Sequence, residues 1–357
     1  MQLTLSRRLI VLLVAASLLI LVVSPNLYGV LGIVVAMVTW LWHWHVIWQN
    51  QDDNRPNSDT PLRQTLGAAN WMSIVRGLLN SILLGFAFAS QIDLIWVPAI
   101  LYTISALLDI FDGLVARLTK QQSLLGEMLD LEYDAVGVLI VVAVGLRMGQ
   151  LPWWFVLIGL ARYLYIGGIE LYKRGNRPIY PTPDSHNRRV TAGLMMAYLT
   201  VILWPIVDQT SSNVAAYVFG IPFVLGFLRD WLIAIGLVSV DDPRYVRWRQ
   251  LYKQLTEFML PQIGRIAAII LIAAGFVALD FATVPTWFGI VGLIMVTLGI
   301  IARLGTVFLV VLAVLGSDGG TLPALILLVC ALVILQAGLR RYSLWVPEER
   351  IFERRLG

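Results

Sequence analysis

The sequence predicts an all-α polytopic membrane protein, and three observations predict it. The 357 residues are 59% hydrophobic and 13% charged, with a mean hydropathy of +0.79; soluble domains carry about 25% charged residues. The charges gather in short clusters, separated by apolar runs of roughly 17–25 residues, enough to cross ~30 Å of hydrocarbon as helices. Alternation of period two with aromatic girdles, the pattern of a membrane barrel, is missing. The formal charge of +4 reads as Lys and Arg in membrane-flanking loops, so no nucleic-acid partner is expected. Cys330 is the single cysteine. It excludes an internal disulfide, and its apolar surroundings mark it as a core residue.

The first element is a hairpin over residues 1–48. Arg7 and Arg8 precede an apolar run from Leu9 to Val23, and a second run extends from Leu27 to Trp48. A cleaved signal peptide is the alternative for the first run, but the run is long for such a segment, and an uncleaved transmembrane hairpin is expected. His43 and His45 lie among Trp40, Trp42 and Trp48 and read as an interfacial aromatic belt rather than as metal ligands. Residues 49–66 follow as a polar juxtamembrane linker, marked by Asp52, Asp53, Arg55, Pro56, Asp59 and Pro61.

Six spans are expected next, near 70–90, 94–117, 127–147, 152–172, 190–206 and 214–237, forming a core over 67–240. Residues 241–258 are basic and aromatic, and Tyr245 to Tyr252, with Trp248, reads as a basic interfacial helix. The last block, 259–357, is a transmembrane bundle with a basic tail. Within it, 284–317 splits into two short helices with Arg303 at their turn, or else Arg303 is a buried intramembrane charge. That gives about twelve helices.

Basic residues set the expected orientation. They concentrate at 172–189, at 241–253 and in the tail after Arg340, while the loops near 91–93, 148–151, 207–213 and 317–321 carry none beyond Arg147 at one edge. The basic segments are therefore placed in the cytoplasm.

The window Asp109 to Asp134 carries the chemistry: DIFDGLVARLTKQQSLLGEMLDLEYD. An Asp near the centre of a membrane helix costs about 2.5–3.5 kcal/mol on insertion scales, so four together call for cations. Asp109 and Asp112, spaced i, i+3, share one helix face, which Ala116 continues. Asp130 and Asp134, spaced i, i+4, share a face of the next helix. The turn from Leu118 to Leu125 returns the chain so that the two faces can meet. A cluster of carboxylate oxygens suits a hard divalent cation, Mg²⁺ or Mn²⁺, and two such ions with open positions suit phosphoryl chemistry. Gly113, Ala116 and Gly126 lack bulk, so a ligand can approach the helix backbone. Arg117 offers a planar fork for a phosphate. The competing reading pairs these aspartates with Arg76, Arg117 and Arg162, and it predicts no particular spacing.

The spacing resembles the signature of the CDP-alcohol phosphatidyltransferase family, DxxDGxxAR, eight residues, GxxxDxxxD. Every fixed position is filled, by Asp109, Asp112, Gly113, Ala116, Arg117, Gly126, Asp130 and Asp134. At about one in twenty per position, chance would supply this roughly 10⁻¹⁰ times per start. Asn70 to Arg76, NWMSIVR, resembles the family's first-helix entry. The resemblance covers about 65–240. The last block resembles a small four-helix DoxX-type membrane domain; the bland alternative is an accessory bundle without chemistry.

The resemblance implies a six-helix catalytic core with extra transmembrane helices at both ends. It implies transfer of a phosphatidyl-type group from a CDP-linked lipid, such as CDP-diacylglycerol, to a small alcohol acceptor, with release of CMP, as a step of phospholipid biosynthesis. Two divalent cations would be held by Asp109, Asp112 and Asp130, with Asp134 also at the metal site and acting as general base. Asp112, Gly113, Ala116, Arg117 and Gly126 would frame the nucleotide. Arg162, Arg188 and Arg189 are candidates for a phosphorylated acceptor, although Arg188 and Arg189 serve equally as topology signals or headgroup contacts. A homodimer in a prokaryotic plasma membrane, with the site facing the cytoplasm, is expected. The competing functions are a carboxylate-lined cation transporter, which would spread acids through the membrane depth, and a non-catalytic membrane scaffold.

Overall fold

The computed structural model describes residues 2–89, 94–182, 186–316, 320–339, 342–345 and 347, with the side chains of 2–6 and 186–189 outside that description. Among the described residues the chain is 77% helical, without a strand. Seven helices are long and apolar enough to cross a membrane, and the protein is an integral membrane protein. The chain divides into two compact units, residues 1–160 with 199–205 and residues 161–198 with 206–357.

The first unit begins with two helices, α1 (Gln2–Val23) and α2 (Val30–Gln49). Two indoles of α2 reach back to carbonyls of α1: Trp40 Nε1 to Leu13 O at 3.5 Å and Trp44 Nε1 to Leu9 O at 3.3 Å. Trp40 and His43 are thus core residues, not members of an aromatic belt; Trp42 and His45 keep exposed positions. The belt reading failed for the buried pair because the two sides of α2 carry the same residue types, and only packing tells them apart.

α3 (Ala68–Gly85) is the central helix of this unit and packs against α2, α4 (Trp96–Leu118) and α5 (Leu124–Arg147). Its buried face is polar for a membrane helix, with Asn70, Ser73, Arg76, Asn80 and Ser81 all inside. α5 is long enough to span but carries Glu127, Asp130, Glu132 and Asp134 in its first half, and it is not among the seven apolar spans. Its first turn is capped by Ser123, whose Oγ accepts from Gly126 N at 3.1 Å.

α6 (Val156–Arg174) starts in the first unit and ends in the second. The second unit continues with α7 (His186–Val201) and α8 (Gln209–Ala234). α9 (Pro243–Lys253) is amphipathic and exposed, with Tyr245, Trp248 and Tyr252 stacked along one side. A π-turn, Gln254–Met259, joins it to α10 (Leu260–Ala273) in one 31-residue run. With that run counted once, the helices number twelve among the described residues, the expected total.

The bundle closes with α11 (Val284–Leu298), α12 (Ala302–Val311) and α13 (Leu322–Ala337). The expected split of 284–317 falls at Gly299 and Ile301, both in left-handed backbone, with φ +63° and +44°. Arg303 opens α12 beside that turn and is buried, donating to Leu335 O at 3.2 Å. Cys330 is buried in α13.

Candidate active site

Three helices of the first unit build the site. α4 supplies Asp109 and Asp112, α5 supplies Asp130 and Asp134, and α3 supplies Ser73 and Arg76 from the buried face between them. One oxygen from each of Asp109, Asp112 and Asp130 lies within 4.8 Å of the others. The i, i+3 spacing on α4 and the return through the turn after Leu118 therefore do bring the carboxylates together. Asp134 stands beside this group of three, facing Arg76.

Arg76 is the residue that the signature leaves out. It is 2% exposed. Its Nη2 donates to Asp130 Oδ1 at 3.2 Å; its Nη1 touches Asp109 Oδ1 and lies 3.3 Å from Asp134 Oδ1 and 4.0 Å from Asp112 Oδ2. The ion-pair reading is thus partly realised, through Arg76. It does not exhaust the site. One guanidinium faces four carboxylates, and ionised carboxylates at such separations repel strongly in a low dielectric. Asp109 Oδ1 and Arg76 Nη1 are buried and neither makes an aligned hydrogen bond.

An all-oxygen donor set whose carboxylates outnumber the guanidinium facing them fits a hard divalent cation. Asp112 is the most enclosed of the three converging carboxylates, with Ser73 Oγ donating to its Oδ2 at 3.1 Å. Asp130 and Asp134, whose side chains are 54% and 37% exposed, form the open side.

The small residues have specific neighbours. A Cβ on Gly113 would meet Arg117 Nη1 at 3.3 Å, so the exposed Arg117 folds back over that glycine. Gly126 has a packing reason as well: a Cβ there would lie 2.8 Å from Asn70 Oδ1 and 3.3 Å from Ser123 Oγ. Ala116 is half-buried on the same helix as Gly113. Arg162 belongs to the second unit, and the side chains of Arg188 and Arg189 lie outside the described residues.

Three participants carried no motif. Asn80 sits one turn beyond Arg76 and accepts from Ser105 Oγ of α4 at 2.8 Å. Asn54, in the polar linker, is buried and accepts from Asn70 Nδ2 at 3.3 Å. His43 of α2 lies edge-on to Tyr133, ring centroids 4.4 Å apart, and its carbonyl accepts from the Tyr133 hydroxyl at 3.2 Å. The signal available for Asn80 was the polar series at 70, 73, 76 and 80 along one face of α3.

Comparison with known proteins agrees with this geometry. The sequence model described as CDP-alcohol phosphatidyltransferase matches residues 66–241. Proteins named "Putative cardiolipin synthase" from Mycobacterium bovis and from two strains of Mycobacterium tuberculosis are each 32% identical over 155 residues, covering 43% of this chain and 71% of theirs. No solved structure matches. Signature, membrane helices and relatives agree on one class of transferase in phospholipid biosynthesis, and the chain belongs to the CDP-alcohol phosphatidyltransferase family.

Proposed function

We propose that the protein transfers a phosphatidyl group from CDP-diacylglycerol to an alcohol, releasing CMP, at the junction of α4 and α5. The observation that carries this reading is the convergence of Asp109, Asp112 and Asp130 on one point beside Asp134. The first three would hold two divalent cations, Mg²⁺ or Mn²⁺. Bound there, the cations supply charge neutralisation of the pyrophosphate and of the leaving oxygen.

The chain's own residues do the rest. Ser73 holds Asp112 in place through its hydroxyl. Arg76 braces the carboxylates of α4 against those of α5. Arg117, at the surface over Gly113, is placed to pair with a phosphate of the nucleotide. Asp134, on the open side, takes the proton of the acceptor hydroxyl. The acceptor oxygen then forms its bond to the lipid-side phosphorus as the bond from that phosphorus to the CMP oxygen breaks. An aspartate is a weak base, so alignment of the hydroxyl must contribute much of the rate.

The relatives' name points to a glycerolipid hydroxyl as one acceptor; Arg162, Arg188 and Arg189 would favour a phosphorylated one. A homodimer with its site on the cytoplasmic side of a prokaryotic plasma membrane completes the proposal.

The test is CMP release by purified protein with Mg²⁺ or Mn²⁺, across phosphatidylglycerol, glycerol 3-phosphate, inositol 1-phosphate, inositol and serine, with Asp134→Asn alongside. Acceptor-dependent release that falls at least about 10²-fold in the variant is expected. Full turnover by Asp134→Asn would remove the base assignment, and release from CDP-choline or CDP-ethanolamine alone would replace the donor.

A further inference from the structure

The turn between α4 and α5 is the only covalent link between the two aspartate pairs, and residues just before the family-matched region hold it. Arg63 Nη1 donates to Gln122 O at 3.1 Å and its Nη2 to Lys120 O at 3.4 Å. Leu124 N, the first amide of α5, donates to Arg55 O at 2.9 Å. Such first-turn amides have no partner inside their own helix. Lys120 itself is in left-handed backbone, with φ +53°, a conformation that a non-glycine residue adopts at a cost.

Behind these bonds stands Asn54, fully buried. Its Nδ2 donates to Arg63 O and Thr65 O, both at 3.1 Å, which closes the segment on itself. Its Oδ1 accepts from Asn70 Nδ2, which also donates to Ser123 Oγ at 3.2 Å, and Ser123 caps α5 at Gly126. The amide of Asn54 therefore uses both its donors and its acceptor oxygen.

We infer that residues 54–66 are a clamp on the α4–α5 turn, and that Arg63 and Asn54 are positioning residues for the aspartate site. The inference rests on that site being the catalytic one. Its physical basis is leverage. Asp130 lies seven residues beyond Ser123, ~10 Å along α5. A tilt of about 6° at the turn would move its carboxylate about 1 Å over that lever, and a 1 Å misplacement can cost about 10²-fold in rate. Arg63 acts through backbone carbonyls, touches neither the aspartates nor the signature side chains, and is partly exposed. Its loss therefore leaves the fold standing. The polar composition that marks 49–66 as a linker has a second use here: its side chains satisfy the backbone of a turn that has no helix to satisfy it.

The experiment uses the full-length protein in detergent, as wild type, Arg63→Ala, Arg63→Lys and Asp134→Asn. Mn²⁺ binding is followed by electron paramagnetic resonance, kcat and KM by CMP release, and amide exchange across 118–126 by mass spectrometry. Arg63→Ala is expected to weaken Mn²⁺ binding and lower kcat by roughly 10–100-fold, the range for loss of outer-sphere support. Faster exchange at the turn, little change in KM for the donor, and partial recovery in Arg63→Lys should accompany it. Wild-type Mn²⁺ affinity and kcat in Arg63→Ala would overturn the clamp. So would a loss that follows thermal stability alone and is not recovered by lysine. If Asp134→Asn is inactive while Arg63→Ala is normal, only the clamp falls. If Asp134→Asn is fully active, the base assignment falls, and Mn²⁺ binding still decides the clamp; if the wild type releases no CMP with any acceptor, the functional reading falls.

Discussion

Two regions of the molecule bury arginine inside a membrane bundle, and they satisfy it differently. In the first unit Arg76 faces carboxylates from two helices. In the C-terminal bundle the buried Arg303 donates to Leu335 O in the last turn of α13, and Arg265, only partly buried, reaches Thr297 O near the end of α11 and Tyr342 O. The last carbonyls of a helix lack partners within it, and a cation there also meets the negative end of the helix dipole. Arg265 and Arg303 thus complete secondary structure. Arg76 counters charge that secondary structure does not require. The difference teaches that a buried charge is informative through its partner: helix-end carbonyls point to architecture, and carboxylates from two helices point to a candidate site for a cation.

The largest expected effect comes from exchanging these arginines for an apolar side chain of similar length. Arg76→Met should lower turnover at least about 10²-fold and destabilise the protein by about 3 kcal/mol. That is the low end for a broken buried pair, because Asp130 and Asp134 are partly solvated. Arg303→Met should cost about 1–3 kcal/mol, the penalty for an orphaned buried carbonyl, and leave turnover unchanged. CMP release and denaturant unfolding on the same preparations measure both. Equal loss of turnover in the two variants would break the comparison.

A smaller effect sharpens it at the α5 entry. In Gly126→Ala the new methyl meets Asn70 Oδ1 and Ser123 Oγ, so a shift of α5 costing about 1–3 kcal/mol is expected, with turnover down about 10-fold. Gly193→Ala, on α7 with nothing within 4 Å of its Cβ position, should be neutral or slightly stabilising, since alanine favours helix. Thermal unfolding of the pair separates crowding at the site from any general effect of a methyl group.

Much of the fold was legible because length and hydropathy are all that a membrane helix needs. Most of the long apolar helices and the break near Arg303 follow from apolar runs and the residues that interrupt them. The site was legible through the aspartate spacing, which a helix converts directly into a shared face. Arg76 was visible as a charge, but its place among all four carboxylates depends on how α3 is rotated, and a helix with polar residues at 70, 73, 76 and 80 does not announce which neighbour each will meet. Asn54 and Arg63 were harder still. Their partners are backbone carbonyls and an amide some distance along the chain, which leave no pattern in side-chain identity. The π-turn that fuses α9 to α10 was hidden by a polar stretch that reads equally as a loop end or as a helix surface.

The most direct test of the account is Mn²⁺ binding to the purified protein and to Asp112→Asn, followed by electron paramagnetic resonance. Asp112 is the most enclosed of the three converging carboxylates. Saturable binding by the wild type, weakened at least about 10-fold in Asp112→Asn while the variant stays folded, is the predicted result. Saturable binding of equal strength in both, or none in the wild type, would contradict the claim that these aspartates form a metal centre.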